Sequence, residues 1–229
     1  MEPRQEAKAD TNSDVGKVET EDGLLSIDSR LLEIEEQIIS LFHENIGPDY
    51  FDIPTLHRYV EKDNYNVYIY TLPDEKVHSL SDSSTIPENP EVVGVMSAGT
   101  CTKEDLEYTL KELQFSVDTL LDETPLEDSH FPISIVKTLV VDPEYQDDGI
   151  GFHLVNSVAA MLRNNPPAIT TIWAKENDNT HGKVETIAKK VGGDRIAAYD
   201  RMWPEGWRCV ECGVENECKC GCVVYALGL

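Results

Sequence analysis

Basic residues are scarce: 19 Lys and Arg stand against 43 Asp and Glu, a formal charge of −24. Nucleic-acid binding draws most of its affinity from clustered Lys and Arg that neutralise phosphates, so it is excluded as a general function. Long apolar runs are missing too. No window approaches the roughly 18 apolar residues of a membrane-spanning helix. The opening "MEPRQEAKADTNSDVGKVETEDG" lacks the basic-then-apolar layout of a signal peptide. A soluble, cytoplasmic protein with no nucleic-acid and no membrane partner is expected, its oligomeric state open between monomer and homodimer. Cysteine is nearly absent until the end: Cys101 alone precedes residue 209. With no recognisable partner His, it reads as a small buried hydrophobe. None of the six His residues (43, 57, 78, 130, 153 and 181) sits at metal-ligand spacing.

The acidic excess is spread along the chain, which keeps a protein solvated where salt screens self-repulsion and suggests a salt-rich cytoplasm. Lys outnumbers Arg 12 to 7, against the usual halophilic loss of Lys. Residues 1–22 carry almost no large apolar side chain and read as an acidic disordered tail. One domain is expected over 23–229. From Asp28, a plausible N-cap, apolar residues Leu31, Ile34, Ile38, Leu41 and Phe42 mark one helical face that Gly47 ends.

"NVYIYTL" (66–72) and "VVGVMSAG" (92–99) read as neighbouring antiparallel strands, and 103–121 as one helix. "FPISIVKTLVVDP" (131–143) is a strand stopped by Asp-Pro, and "GFHLVNSVAAMLRNN" a helix. "AITTIWAK" is a strand and "THGKVETIAKKV" a helix closed by Gly192-Gly193. "DRIAAYDRMW" is a strand or turn, and "CVVYALGL" the last strand. This order makes an α/β sheet with helices on its faces.

Between strand 133–142 and helix 151–163 lies "EYQDDGIGF". A helix start leaves backbone N–H groups without internal partners at the positive end of the dipole, which suits a diphosphate. Gly149 and Gly151 allow turns and close approach that side chains forbid. "LVVDPEYQDDGIGFHLVNSV" resembles the acetyl-CoA loop of the GNAT acetyltransferase superfamily, with Gln146, Gly149 and Gly151 matching its pattern. Combined with the dispersed acid, the resemblance points to a halophilic archaeal member.

The resemblance implies a mixed central sheet splayed near its middle. Backbone groups of Leu139, Val140 and Val141 would bond pantetheine. Amides over Gln146, Asp147, Asp148, Gly149, Ile150, Gly151 and Phe152 would hold the diphosphate. It implies acetyl transfer from acetyl-CoA to a primary amine of a small molecule or protein by direct attack, or, alternatively, a non-catalytic acyl-CoA sensor or zinc-bearing interaction module. Asp147 and Asp148 do not spoil the loop. A solvent-facing carboxylate about 8 Å from a phosphate repels it by roughly 0.5 kcal/mol in water. Each charge-assisted amide bond contributes about 1.5–3 kcal/mol.

Two family positions depart. Lys137 stands where a catalytic glutamate is common, leaving Glu144 or Asp142 as weak base candidates beside a water relay or an amine that arrives neutral. Ala188 stands where a tyrosine donates to the thiolate, which makes Tyr199 the replacement candidate, with a structural, half-buried Tyr the competing reading. Asn177 and Asn179 match loosely the Asn that caps the following helix and contacts CoA in relatives.

"WRCVECGVENECKCGCVVYAL" holds Cys209, Cys212, Cys218, Cys220 and Cys222, a cysteine-rich insertion over 207–222 between the last two strands. Cys-x-x-Cys before Gly is the turn of many zinc knuckles, and four thiolates satisfy tetrahedral zinc; clustered free thiols or iron are the alternatives. One cysteine is spare, Cys222 being the suspect because it opens the final strand. A structural Zn2+ is expected, since so short a loop has no core of its own.

Overall fold

The computed structural model describes residues 29–61, 64–110, 113, 115–164, 167–174 and 181–228. The expected tail over 1–22 and the cap at Asp28 lie outside them, as do Asn177 and Asn179. Helix α1 (Ser29–Asn45) buries Ile34, Ile38, Leu41 and Phe42, the stripe that its spacing predicts. The chain then turns at Gly47, where a Cβ would lie 2.2 Å from the Arg208 carbonyl oxygen. A second helix, α2 (Ile53–Val60), is one that the sequence reading passed over. Asp52 caps it by accepting from the Thr55 amide, and Leu56 and Tyr59 are its buried face.

Strands β1 (Tyr65–Leu72), β2 (Lys76–Ser79) and β3 (Glu91–Cys101) form the antiparallel start of the sheet. The single helix expected over 103–121 is two, α3 (Lys103–Leu110) and α4 (Val117–Glu123). Ser116 breaks it: its hydroxyl accepts from the Thr119 amide at 3.1 Å and starts a new helix. Then follow β4 (Ile133–Val141), α5 (Ile150–Ser157), α6 (Ala159–Asn164), β5 (Ala168–Ala174), α7 (His181–Lys190), β6 (Asp194–Tyr199) and β7 (Gly221–Leu227).

The seven strands run in the order β2-β1-β3-β4-β5-β7-β6, antiparallel except for the β4–β5 pair. Alternate β3 residues face opposite ways. Val95 joins the core with Phe42 of α1 and Leu56 of α2, while Met96 joins Leu154 and Leu162 under α5 and α6. Mixed α/β, with helices on both faces and a sheet that opens at its centre, is the GNAT-like architecture that the resemblance implies.

The opening is explicit in the register. β4 meets β5 only through Ser134–Val136 against Ala168–Thr170, although β4 continues to Val141 and β5 to Ala174. β5 instead follows β7 along its whole length. A fork therefore opens between β4 and β5 just past Val136.

Candidate functional site

A β-bulge controls what β4 shows to the fork. Against β3, Ser97 pairs with Thr138 and Ala98 with Val136, so Lys137 is the extra residue. Beyond it the Asp142 amide donates to the Val93 carbonyl at 2.9 Å. Antiparallel alternation then directs the main-chain groups of Val140 and Thr138 toward β3 and those of Leu139 and Val141 toward the fork. Gln146 supports this assignment, its Nε2 donating to the outward Val141 carbonyl at 3.2 Å. Of the three strand residues expected to bond pantetheine, Leu139 and Val141 thus face the open side, while the Val140 backbone belongs to the ladder with β3.

The loop after β4 turns sharply. Asp142 accepts from the Glu144 amide at 2.8 Å, and Asp147 and Gly149 take left-handed φ values of 78° and 82°. Gly149 caps α5, and the first helical bond runs from the His153 amide to the Gly149 carbonyl at 3.0 Å. The N–H groups of Ile150, Gly151 and Phe152 consequently have no acceptor within their own helix. Asp147 and Asp148 are exposed to solvent. The helix start is held close to the strand ends. A Cβ on Gly151 would lie 3.8 Å from both Leu139 and Val141, and one on Gly94 2.9 Å from Ile150 Cγ2. Beneath the fork is an apolar cavity of about 60 Å³ lined by Val136, Leu139, Val155, Ile187, Ala188 and Tyr225, among others.

The catalytic candidates fare differently. Glu144 is exposed on a 3-10 turn, Pro143–Tyr145. Tyr199 does not reach the fork. It lies on edge strand β6, three strand spacings from β4, about 14 Å at roughly 4.8 Å each. It packs with the α1-side core, its ring stacked on Phe115 at 4.2 Å. Burial first, then the neighbouring Glu123 carboxylate, pushes its phenol up to about 12. The register of an edge strand is invisible in the local pattern, and here it packs Tyr199 against the α1-side core.

Residues that the sequence reading missed surround the bulge on the α1 side. The Tyr50 and Thr138 hydroxyls are hydrogen-bonded to each other, and Lys137 Nζ donates to the Tyr59 hydroxyl at 2.6 Å. Phe51 stacks on Tyr59 at 5.1 Å, and Tyr59 lies 4.6 Å from Tyr65. One signal was present: after the Asp52 cap, Leu56 and Tyr59 fall on one helical face.

The cysteines gather as their spacing predicts. The sulfurs of Cys209, Cys212, Cys218 and Cys220 all lie within 4.8 Å of one another. Gly213, with φ of 83°, makes the knuckle turn, and the Cys212 amide donates to Cys209 Sγ and the Lys219 amide to Cys212 Sγ, both at 3.5 Å. Burial works the other way, but the Lys219 amide and the neighbouring sulfurs hold the Cys212 thiol below its usual pKa, which favours the ligating thiolate. Cys222 is not a member, a correction to the five-cysteine set. It is buried on β7 opposite Tyr199 and Trp173, and burial pushes its thiol up to about 12. Four clustered sulfurs with amide donors suit tetrahedral zinc.

This module is fastened to the bulge region. Arg208 Nε donates to Asp49 at 2.7 Å, and the Val210 amide to the Ile46 carbonyl at 3.4 Å. Trp203 and Trp207 stack at 4.4 Å, and Tyr50 meets them edge-on at 5.9 and 6.4 Å.

No protein-family model matches the chain, and no curated protein matches it by sequence. Solved structures do. Ribosomal-protein-alanine N-acetyltransferase from Brucella melitensis is 12% identical, with 89% of this chain and 97% of that one covered and a TM-score of 0.49. For NAA60 of Arabidopsis thaliana in complex with acetyl-CoA the values are 12%, 87%, 93% and 0.48. For Arabidopsis thaliana Naa50 in complex with a bisubstrate analogue they are 14%, 89%, 95% and 0.45.

Proposed function

We propose that the protein is an acetyl-CoA-dependent N-acetyltransferase that moves an acetyl group to a primary amine of a small molecule or protein. The carrying observation is the fork: a strand edge whose Leu139 and Val141 main-chain groups turn outward, leading to the unpaired first-turn amides of α5. Acetyl-CoA would bring an activated acyl thioester to this cleft. Amides over 146–152 would hold its diphosphate, the outward groups of Leu139 and Val141 would bond the pantetheine arm, and the apolar cavity would exclude water around it. The incoming amine must be neutral to attack. Glu144, exposed on its turn, is poorly placed to deprotonate it, so a water relay or an amine already neutral serves this reading better. Asn179 belongs to the proposal as a cofactor contact on the residues before α7.

The same reading makes 23–229 one domain with 207–222 as its zinc-bearing insertion, in a salt-rich cytoplasm that suits a net charge of −24. Cys209, Cys212, Cys218 and Cys220 would hold the ion. A full thiolate set leaves no position for reactive water, hence a structural role. Calorimetric titration with acetyl-CoA at low and at about 1 M KCl tests the cofactor site: affinity is expected to hold or rise, because at about 1 M salt the screening length is about 3 Å and the loop carboxylates cost almost nothing. Absence of binding at both salts refutes the proposal. A free-thiol-release screen over an amine panel in high-KCl buffer then identifies the acceptor. A non-catalytic acyl-CoA sensor is the second reading, favoured by Ala188 in the cavity lining where the family places a proton-donating tyrosine. Tight acetyl-CoA binding with no transfer across the panel selects it.

A further inference from the structure

Lys137 stands at the apex of the fork. It is the extra residue of the β4 bulge and the first residue past the last β5 pair, Val136 with Thr170. From Val141 back to Lys137 the strand covers about 13 Å at roughly 3.3 Å per residue. An extended arm anchored by its diphosphate at 146–152 and bonded to Val141 and Leu139 therefore ends, at its sulfur, level with Lys137. The lysine is half-buried on the α1 side. Its Nζ donates to the Tyr59 hydroxyl at 2.6 Å and lies 4.8 Å from the Tyr59 ring centroid and 5.3 Å from that of Phe51. Ring faces attract a cation and a phenol oxygen accepts from one, so these contacts hold the ammonium in place. A side chain held that way is a poor nucleophile and a poor base; its use is a fixed positive charge.

We propose that Lys137 stabilises the thiolate that departs from acyl-CoA, at a site where Ala188 stands in the place of the family's proton-donating tyrosine. The inference rests on the cofactor reading above. When the acceptor's N–C bond forms and the C–S bond breaks, the electron pair leaves on sulfur, and the proton lost by the acceptor nitrogen passes to solvent. A cation placed beforehand at the sulfur acts where that charge develops. Ala188 has no hydroxyl to offer the sulfur, and Tyr199 is three strands away.

The test compares CoA with desulfo-CoA and acetyl-CoA by calorimetry at pH 8, on the full chain and its Lys137→Met and Lys137→Arg variants. The wild type is expected to bind CoA about tenfold more tightly than desulfo-CoA, as follows when an opposite charge within about 4–6 Å lowers a thiol's pKa from about 8.5 to about 7. Lys137→Met should lose this preference while binding acetyl-CoA, which has no thiolate, as the wild type does. Lys137→Arg should keep most of it. An equal preference in wild type and Lys137→Met, with acetyl-CoA bound by both, overturns the role of Lys137 alone. No acetyl-CoA binding by the wild type overturns the cofactor reading and this inference with it.

Discussion

Removing the proposed zinc should unfold the cysteine module without unfolding the sheet, and the energetics can be worked from the structure. The connection 200–220 between β6 and β7 contains no helix or strand. Ordering it costs about 20 kcal/mol at roughly 1 kcal/mol per residue. Its buried apolar side chains are few. Trp203 at 5% exposure, Met202 at 7% and part of Trp207 together contribute about 10 kcal/mol at about 25 cal/mol per Å². The deficit matches the roughly 10–16 kcal/mol that zinc supplies to small knuckles. Two of the three tryptophans of the chain lie in this segment, so their emission reports on it. A strong chelator, or Cys209→Ser, should release about one zinc per chain, shift tryptophan emission to the red and lower the melting temperature. Acetyl-CoA binding at the α5 end of the fork should persist. Cys222→Ala should keep the metal, because Cys222 lies outside the cluster. Chelation that removes the metal but leaves both emission and melting unchanged would refute the reasoning.

Three further outcomes are expected. Gly94→Ala places a methyl 2.9 Å from Ile150 Cγ2 and 3.1 Å from Leu154 Cδ1; this overpacking should cost about 1–3 kcal/mol and weaken acetyl-CoA binding by displacing the start of α5, read by thermal melting and calorimetry. Tyr199→Phe should leave turnover within about twofold, whereas loss of a true general acid costs about 100-fold or more, so a drop of that size would restore Tyr199 to the mechanism. The third concerns alkaline pH. Tyr199, Tyr225 and Cys222 are each held up to about 12 in the fold, chiefly by burial. Their unfolded values are about 10 for Tyr and about 8.5 for Cys. A raised folded value means that their contribution is complete below the unfolded value and is lost as pH rises toward about 12. Melting temperature should hold to about pH 8 and then fall steeply, and Tyr199→Phe with Cys222→Ala should blunt the fall; a flat profile to pH 11 contradicts this.

What could be read from the sequence was local. Gln146, Gly149 and Gly151 fall within one turn, and Cys209, Cys212, Cys218 and Cys220 within one short loop, so spacing alone brings those groups together. The buried stripe of α1 and the β-rich runs likewise depend on neighbours in the chain. The break at Ser116 was hidden because the apolar spacing runs on through it, whereas the Ser116 cap hydrogen bond starts a new helix. The neighbours of Tyr199 and Cys222 could not be read from the chain for a different reason. Their partners are set by cross-strand register, in which one residue of slip exchanges the two faces of a strand.

The bulge at Lys137 is the same effect at the most consequential position. Without the extra residue, the groups of Val140 would turn to the fork, and those of Leu139 and Val141 would be consumed by β3. One extra residue thus both selects which main-chain groups face the fork and puts a lysine at its apex. The cysteine module reaches the same place: Arg208 grips Asp49, the Trp203–Trp207 stack abuts Tyr50, and Tyr50 bonds Thr138 beside the bulge. The cysteine loop therefore buttresses the α1 side of the fork, while the first-turn amides of α5 lie on the opposite face. Chelation should accordingly disturb the side from which an acceptor would approach more than the affinity for acetyl-CoA.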